Sequence, residues 1–188
     1  MSGLSFIKQY LTKPRTVGAV WPSSKYLAAK MVRDINFQSA DCIVEYGPGT
    51  GVFTDKLLKA RKQGTMLILL EFNPEFCKLL QEKYQHERNL FIVNDSAENI
   101  EKYLSQNNIQ QADYIISGLP FASLPLEVST RILQQTKKFL KPGGRFITFQ
   151  YTKIRKDFIA QYFSEIDIKR ELRNIPPAYV FSCKMKGQ

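Results

Sequence analysis

The chain has one histidine, His86, one tryptophan, Trp21, and three cysteines, Cys42, Cys77 and Cys183, among its 188 residues. A single histidine excludes a multi-histidine metal site and leaves little basis for a Ser-His-Asp triad. His86 sits among charged residues and reads as a solvated helix-end residue. The cysteines are far apart with no C-x-x-C pair, so they read as buried thiols in a reducing compartment rather than as bridges or metal ligands. No metal is expected. No apolar run approaches the roughly eighteen residues of a membrane span. The opening residues, Met1 to Ile7, lack a long apolar stretch and a small-residue cleavage site, so no secretory leader is read there.

Acidic residues are also missing from one region. Residues 1–33 hold six bases and no acid, residues 34–136 nine bases and thirteen acids, and residues 137–188 twelve bases and four acids. The net charge of +10 is therefore concentrated at the two ends. Such an excess points to an anionic partner, either phospholipid headgroups or nucleic acid. Apolar content of 44% and this length fit one globular domain with a substantial core.

The most informative stretch is Cys42-Ile43-Val44-Glu45-Tyr46-Gly47-Pro48-Gly49-Thr50-Gly51-Val52-Phe53-Thr54. A short β-type run enters a turn with three glycines, and a helical pattern follows. Glycine permits positive φ and close approach of a ligand, and the helix behind it presents free N–H groups. The spacing is G-x-G-x-G rather than G-x-G-x-x-G. Glu45 precedes the first glycine by two residues. An acid there would repel a pyrophosphate and suit a cation. A ligand with an adenosine end and a positive amino-acid end therefore fits better than a dinucleotide, and S-adenosyl-L-methionine is such a ligand.

The pattern then repeats. Met66 to Leu70 is a continuous apolar run, as expected for a strand buried on both faces of a parallel sheet, and Glu71 closes it. Glu71, twenty residues past Gly51, is placed to accept from ribose hydroxyls, with Phe72 beside it. A helix is predicted over Glu75 to His86, with Phe76, Leu79, Leu80 and Tyr84 inward. Leu90 to Asn94 forms a third strand, and Asp95-Ser96-Ala97 would lie beside the adenine. Tyr114 to Ser117 is a fourth strand, followed by Gly118-Leu119-Pro120-Phe121 at the edge where α/β sheets bind ligands. There Phe121 could offer an aromatic face to an amine, or pack in the core. Leu126 to Leu140 reads as a helix, Lys141-Pro142-Gly143-Gly144 as a tight turn, and Arg145 to Tyr151 as a strand. A short helix is expected over Lys153 to Phe163. Two final strands, Glu165 to Arg173 and Tyr179 to Met185, are separated by Pro176-Pro177.

At the start, Phe6, Ile7, Tyr10 and Leu11 share one helical face, and the pattern stops near Lys13-Pro14. This segment must dock on its own domain or on a bilayer. Ser23 or Ser24 can cap a helix carrying Leu27, Ala28, Met31, Val32 and Ile35 on one stripe. Past the glycine turn, Phe53, Leu57 and Leu58 are expected inward and Lys56, Lys59, Arg61 and Lys62 in water. A basic helical segment over 1–36 and a main domain over 37–188 are the expected divisions.

With these residues in order, the chain resembles the class I S-adenosylmethionine-dependent methyltransferases. The resemblance implies an α/β, Rossmann-like seven-stranded mixed sheet with helices on both faces, a final antiparallel hairpin and additional N-terminal helices. It implies cofactor binding by Glu45, Gly47, Pro48, Gly49, Thr50, Gly51, Glu71, Phe72, Asp95, Ser96, Ala97 and Ser117. Glu45 to Gly51 with the Leu119-Pro120-Phe121 loop is similar to the ribosomal RNA adenine N6-dimethyltransferases. Those enzymes carry an asparagine where this chain has Gly118, and they add a helical C-terminal RNA domain. The bacterial phospholipid N-methyltransferases resemble more of the chain: Phe6, Pro14, Val17 to Val20, Pro22 to Ser24, Ser117 to Phe121, and Pro176 to Ala178. That resemblance implies methyl transfer to the amine of phosphatidylethanolamine or its methylated derivatives. Gly118, Leu119 and Phe121 would line the reacting amine. Lys8, Tyr10, Lys13, Arg15, Trp21 and Tyr179 would meet substrate or an anionic or zwitterionic phospholipid surface. A cytoplasmic protein, peripheral on the inner membrane face, is the expectation. RNA is the alternative partner, and a non-catalytic cofactor-binding or membrane-binding module the third possibility. The oligomeric state is left open.

Overall fold

All five residues of strand β1, Cys42–Tyr46, are buried, because the strand lies at the middle of a sheet covered on both faces. The computed structural model describes residues 24–185. Around β1 the sheet adds β2 (Met66–Leu70), β3 (Leu90–Val93), β4 (Ala112–Ser117), β5 (Leu140–Gln150), β6 (Glu165–Glu171) and β7 (Ala178–Lys184) in the order β3-β2-β1-β4-β5-β7-β6. Strands β1 to β5 pair in parallel, and β7 pairs antiparallel with both β5 and β6. The expected seven-stranded mixed sheet with a terminal hairpin is the observed one.

Side chains alternate across this sheet. Cys42, Val44 and Tyr46 enter the core shared with helices α4 (Ile100–Gln106), α5 (Leu126–Phe139) and α6 (Lys156–Ala160). Ile43 enters the core shared with α1 (Lys25–Met31) and α2 (Val52–Ala60). Helix α1 starts at Ser24, whose hydroxyl accepts the Leu27 N–H at 3.1 Å. Its Leu27, Ala28 and Met31 are fully buried, so this helix belongs to the same core as the sheet. Helix α3 (Pro74–Lys83) is capped by the Asn73 side chain, with proline in its first turn.

Several details depart from the sequence pattern. Lys141-Pro142-Gly143-Gly144 is not a turn before β5 but a bulge within it. Ala112 pairs with Leu140 and Tyr114 with Arg145, so five residues of β5 span two of β4. Lys141 reaches Asp113 at 2.7 Å from this bulge, and a Cβ at Gly144 would crowd the Asp113 carbonyl. Arg61 does not face water: its guanidinium donates to the carbonyls of Thr65 and Asn89 and pairs with Glu87. Leu79 is exposed, and Cys77 takes the inward place on α3. Helix α4 follows Asp95-Ser96-Ala97 directly through a 3-10 turn, Ala97–Asn99, which the apolar pattern did not single out. The predicted helix over 153–163 is regular only over Lys156–Ala160.

Candidate functional site

Parallel strands end at one edge, and β1, β2, β3 and β4 each finish there in a turn. After β1, Gly47, Gly49 and Gly51 all take positive φ, at 61°, 57° and 86°. A side chain is strained at such angles, and this fixes the glycine spacing. The turn is tied to its neighbours. Gly47 N–H donates to the Leu70 carbonyl at 2.9 Å, and Gly51 N–H to Pro48 at 2.9 Å. The space beyond Gly49 is open, with no atom within 4 Å of where a Cβ would stand.

Glu71 is the brace of this turn. It is 1% exposed, one carboxylate oxygen accepts the Gly49 N–H at 2.9 Å, and the other accepts the Asn73 N–H at 2.8 Å. Burial pushes its carboxyl above the usual carboxylate range, and the N–H groups of Asn73, Gly49 and Phe72 offset part of that. Asn94 in turn donates to the Glu71 carbonyl at 2.8 Å and the Phe72 carbonyl at 3.0 Å. At the next turn Asp95 accepts from Ser96 N–H, the Asn99 amide and the Tyr103 hydroxyl at 2.6–2.8 Å. Burial alone would raise its carboxyl, but the donors from Tyr103, Asn99 and Ser96, with Lys102 nearby, bring it below the ordinary value.

A crevice opens between these turns, lined by Gly47, Leu70, Glu71, Phe72, Asp95, Ser96 and Ala97 on one side. Leu119, Pro120, Leu124, Val128 and Ile132 line the other. Seven of the expected site residues meet here: Gly47, Glu71, Phe72, Asp95, Ser96, Ala97 and Leu119. Gly49 joins them through its N–H on Glu71. The apolar wall from α5 was missed, although the stripe Leu124, Val128, Ile132 is visible at helical spacing. Asn73, Asn94 and Tyr103, which hold the acids in place, carried no signal in a single sequence.

Other expected residues lie elsewhere. Phe121 does not face the crevice: it is fully buried and packs edge-on against Phe146, ring centres 6.0 Å apart. Glu45 points to the opposite face of β1 from Tyr46, is fully buried, and accepts the Thr54 hydroxyl at 2.8 Å. Its second oxygen has no hydrogen-bond partner among the described residues, and burial pushes the carboxyl up to about 8. Ser117 is buried, and its hydroxyl accepts the Leu119 N–H at 3.2 Å. Pro48, Thr50 and Gly51 form the turn but do not line the crevice. Tyr179 lies at the start of β7, its ring flanked by Lys153 at 4.9 Å and Arg170 at 5.6 Å, outside the crevice. Lys8, Tyr10, Lys13, Arg15 and Trp21 fall outside the described residues. The three cysteines are free and buried, as expected.

Residues 15–162 match the ribosomal RNA adenine dimethylase family. The chain belongs to this family. Like its relatives, it is a class I methyltransferase that uses S-adenosyl-L-methionine. It is 31% identical over 181 residues to the ornithine lipid N-methyltransferase of Singulisphaera acidiphila, covering 95% of this chain and 94% of that one. It is 28% identical over 132 residues to ribosomal RNA small subunit methyltransferase A of a Hydrogenobaculum species, covering 70% of this chain but 48% of that enzyme. Among solved structures, precorrin-6y C5,15-methyltransferase of Geobacter metallireducens superposes with a TM-score of 0.65 at 14% identity, covering 84% of this chain and 88% of that one. At that identity the likeness speaks for the fold alone.

The crevice fits the cofactor. Its glycine turn leaves room beside Gly49, its floor carries Glu71 with lone pairs left after two N–H bonds, and its far wall is apolar enough to take a purine.

Proposed function

We propose that this methyltransferase acts on the amine of a membrane lipid, with phosphatidylethanolamine, its methylated derivatives or an amino-acid lipid as acceptor. The observation that carries this reading is coverage. A relative named as a lipid N-methyltransferase aligns over nearly the whole of both chains, whereas this chain spans about half the length of the RNA enzymes it matches.

Gly118 supports the same reading. The RNA adenine enzymes carry an asparagine side chain at this place, and here the packing of the β4 turn on Gly47 leaves no room for one. The acceptor amine is then oriented by backbone. The Gly118 and Leu119 carbonyls are the candidate acceptors at this turn; the Leu119 carbonyl takes the Phe121 N–H at 3.1 Å and keeps a second lone pair. Glu71 takes the ribose hydroxyls, the glycine turn the amino-acid portion, and Asp95 with Ser96 and Ala97 the adenine. S-adenosyl-L-methionine supplies a methyl group on a sulfonium, open to in-line attack by a neutral amine. The protein contributes mainly by holding that amine close and aligned. Leu119, Pro120 and Leu124 keep the approach dry. With no strong base at the turn, the proton released by the methylated amine leaves to solvent.

RNA adenine is the second reading, favoured by the family match itself. Both are tested together. Purified protein is incubated with methyl-labelled cofactor and either vesicles containing phosphatidylethanolamine or ornithine lipid, or small-subunit ribosomal RNA. Label in lipid is expected. Label in RNA with none in lipid overturns the proposal.

A further inference from the structure

Seven large apolar side chains are exposed among the described residues, and five of them gather at the carboxyl edge of the sheet. Ile154 is 80% exposed, Ile175 72% and Leu172 64%, all three on turns at this edge. The topology puts them together. Gln150, the last residue of β5, pairs with Tyr179 at the start of β7, and Glu171, the last of β6, pairs with Ala178. The 151–156 and 172–177 segments therefore rise from the same edge as the glycine turn. Leu126 joins them at the start of α5, the helix whose Val128 and Ile132 line the crevice, and Tyr26 joins them on α1.

The cations around these side chains lie over aromatic rings rather than against carboxylates: Lys153 and Arg170 over Tyr179, and Arg155 over Phe158. Lys153, Arg155, Lys156 and Arg170 have no ion-pair partner among the described residues, nor does Lys25 at the start of α1. Against them stand two exposed acids, Asp157 and, beside Leu126, Glu127. Glu171 is buried and already paired with Lys30 and Arg173. The first described residue enters at this edge as well: Ser24 N–H donates to the Asn174 side chain at 3.0 Å.

We infer that this rim is a docking surface for an anionic phospholipid bilayer. Ile154, Leu172 and Ile175 enter the headgroup–acyl boundary, and Lys153, Arg155, Lys156 and Arg170 meet lipid phosphates. Aliphatic side chains ringed by bases at one edge are the pattern of interfacial binding, in which burial and charge attraction act together. The surface sits on the same edge as the crevice, so a docked protein presents the crevice mouth to headgroups. This rests on the lipid reading above and adds where the bilayer is met.

The test uses the three native cysteines being buried. Ile154→Cys, labelled with an environment-sensitive dye, should shift to the blue on phosphatidylglycerol vesicles and much less on phosphatidylcholine vesicles. Gln63→Cys, at the opposite edge, should not shift. The triple variant Ile154→Ser, Leu172→Ser, Ile175→Ser should lose about tenfold or more in vesicle co-sedimentation, with cofactor affinity unchanged. A label at 154 that stays unmoved, or a triple variant that sediments like wild type, overturns the proposal. Lipid methylation in detergent micelles with an unmoved label would retire the docking surface and leave the lipid reading. Vesicle binding through the rim without lipid labelling would do the reverse.

Discussion

A methyl group on Gly118 would stand 2.6 Å from the carbonyl oxygen of Gly47. The turns after β1 and β4 are packed backbone to backbone, with Gly118 N–H donating to the Tyr46 carbonyl at 2.8 Å. Gly118→Ala should therefore push the two turns apart. The expected loss is about 1–3 kcal/mol of stability, as for overpacked sites, together with a large fall in turnover. Chemical denaturation and methyl transfer to lipid measure the two. Gly118→Asn, although it restores the side chain of the RNA enzymes, should behave no better.

Tyr84 locks the far end of the glycine turn. Its hydroxyl lies 2.7 Å from Asp55 and 3.0 Å from the Gly51 carbonyl, and a Cβ on Gly51 would meet that hydroxyl at 2.4 Å. Lys83 adds contacts to Asp55 at 2.9 Å and to the Thr50 carbonyl at 3.3 Å. Tyr84→Phe should cost about 1 kcal/mol of stability and weaken cofactor binding several-fold, with turnover at saturating cofactor close to wild type. Steady-state kinetics over a range of cofactor concentrations would show the split.

The buried Glu45 predicts an unusual pH dependence. Its folded value of about 8 lies above the ordinary 4.5, so between those values the folded protein holds a proton that the unfolded chain has released. This group therefore favours folding at low pH, and its contribution falls as pH rises through that window. The full swing is on the order of a few kcal/mol. Glu45→Gln should have a thermal midpoint close to wild type near pH 5 and increasingly above it toward pH 8. Scanning both proteins across that range without cofactor checks the sign.

The strands were legible because a sheet buried on both faces demands continuous apolar runs, and the glycine spacing was legible because positive φ admits little else. The order of Glu71 and Asp95 after their strands followed from the same repeat. Phe121 was ambiguous, since an aromatic residue after a turn can face a ligand or the core, and only its packing on Phe146 decides. Glu45 could not be placed by spacing alone, because its side of β1 depends on strand register, which puts it beside Thr54 under α2. The bulge at Lys141 to Gly144 looked like a turn because proline and glycine mark both. The crevice wall from α5 and the asparagine and tyrosine partners of the acids required the strands to be brought together first.

The cofactor cradle is tested most directly by calorimetric titration of S-adenosyl-L-methionine into wild type and Glu71→Ala. Removing the carboxylate leaves the Gly49 and Asn73 N–H groups without their acceptor and takes away the proposed ribose contact. Wild type should bind one equivalent, and the variant should bind about tenfold to a hundredfold more weakly, in line with lost hydrogen bonds to a charged group. No binding by wild type, or equal affinity in the two proteins, would contradict the account.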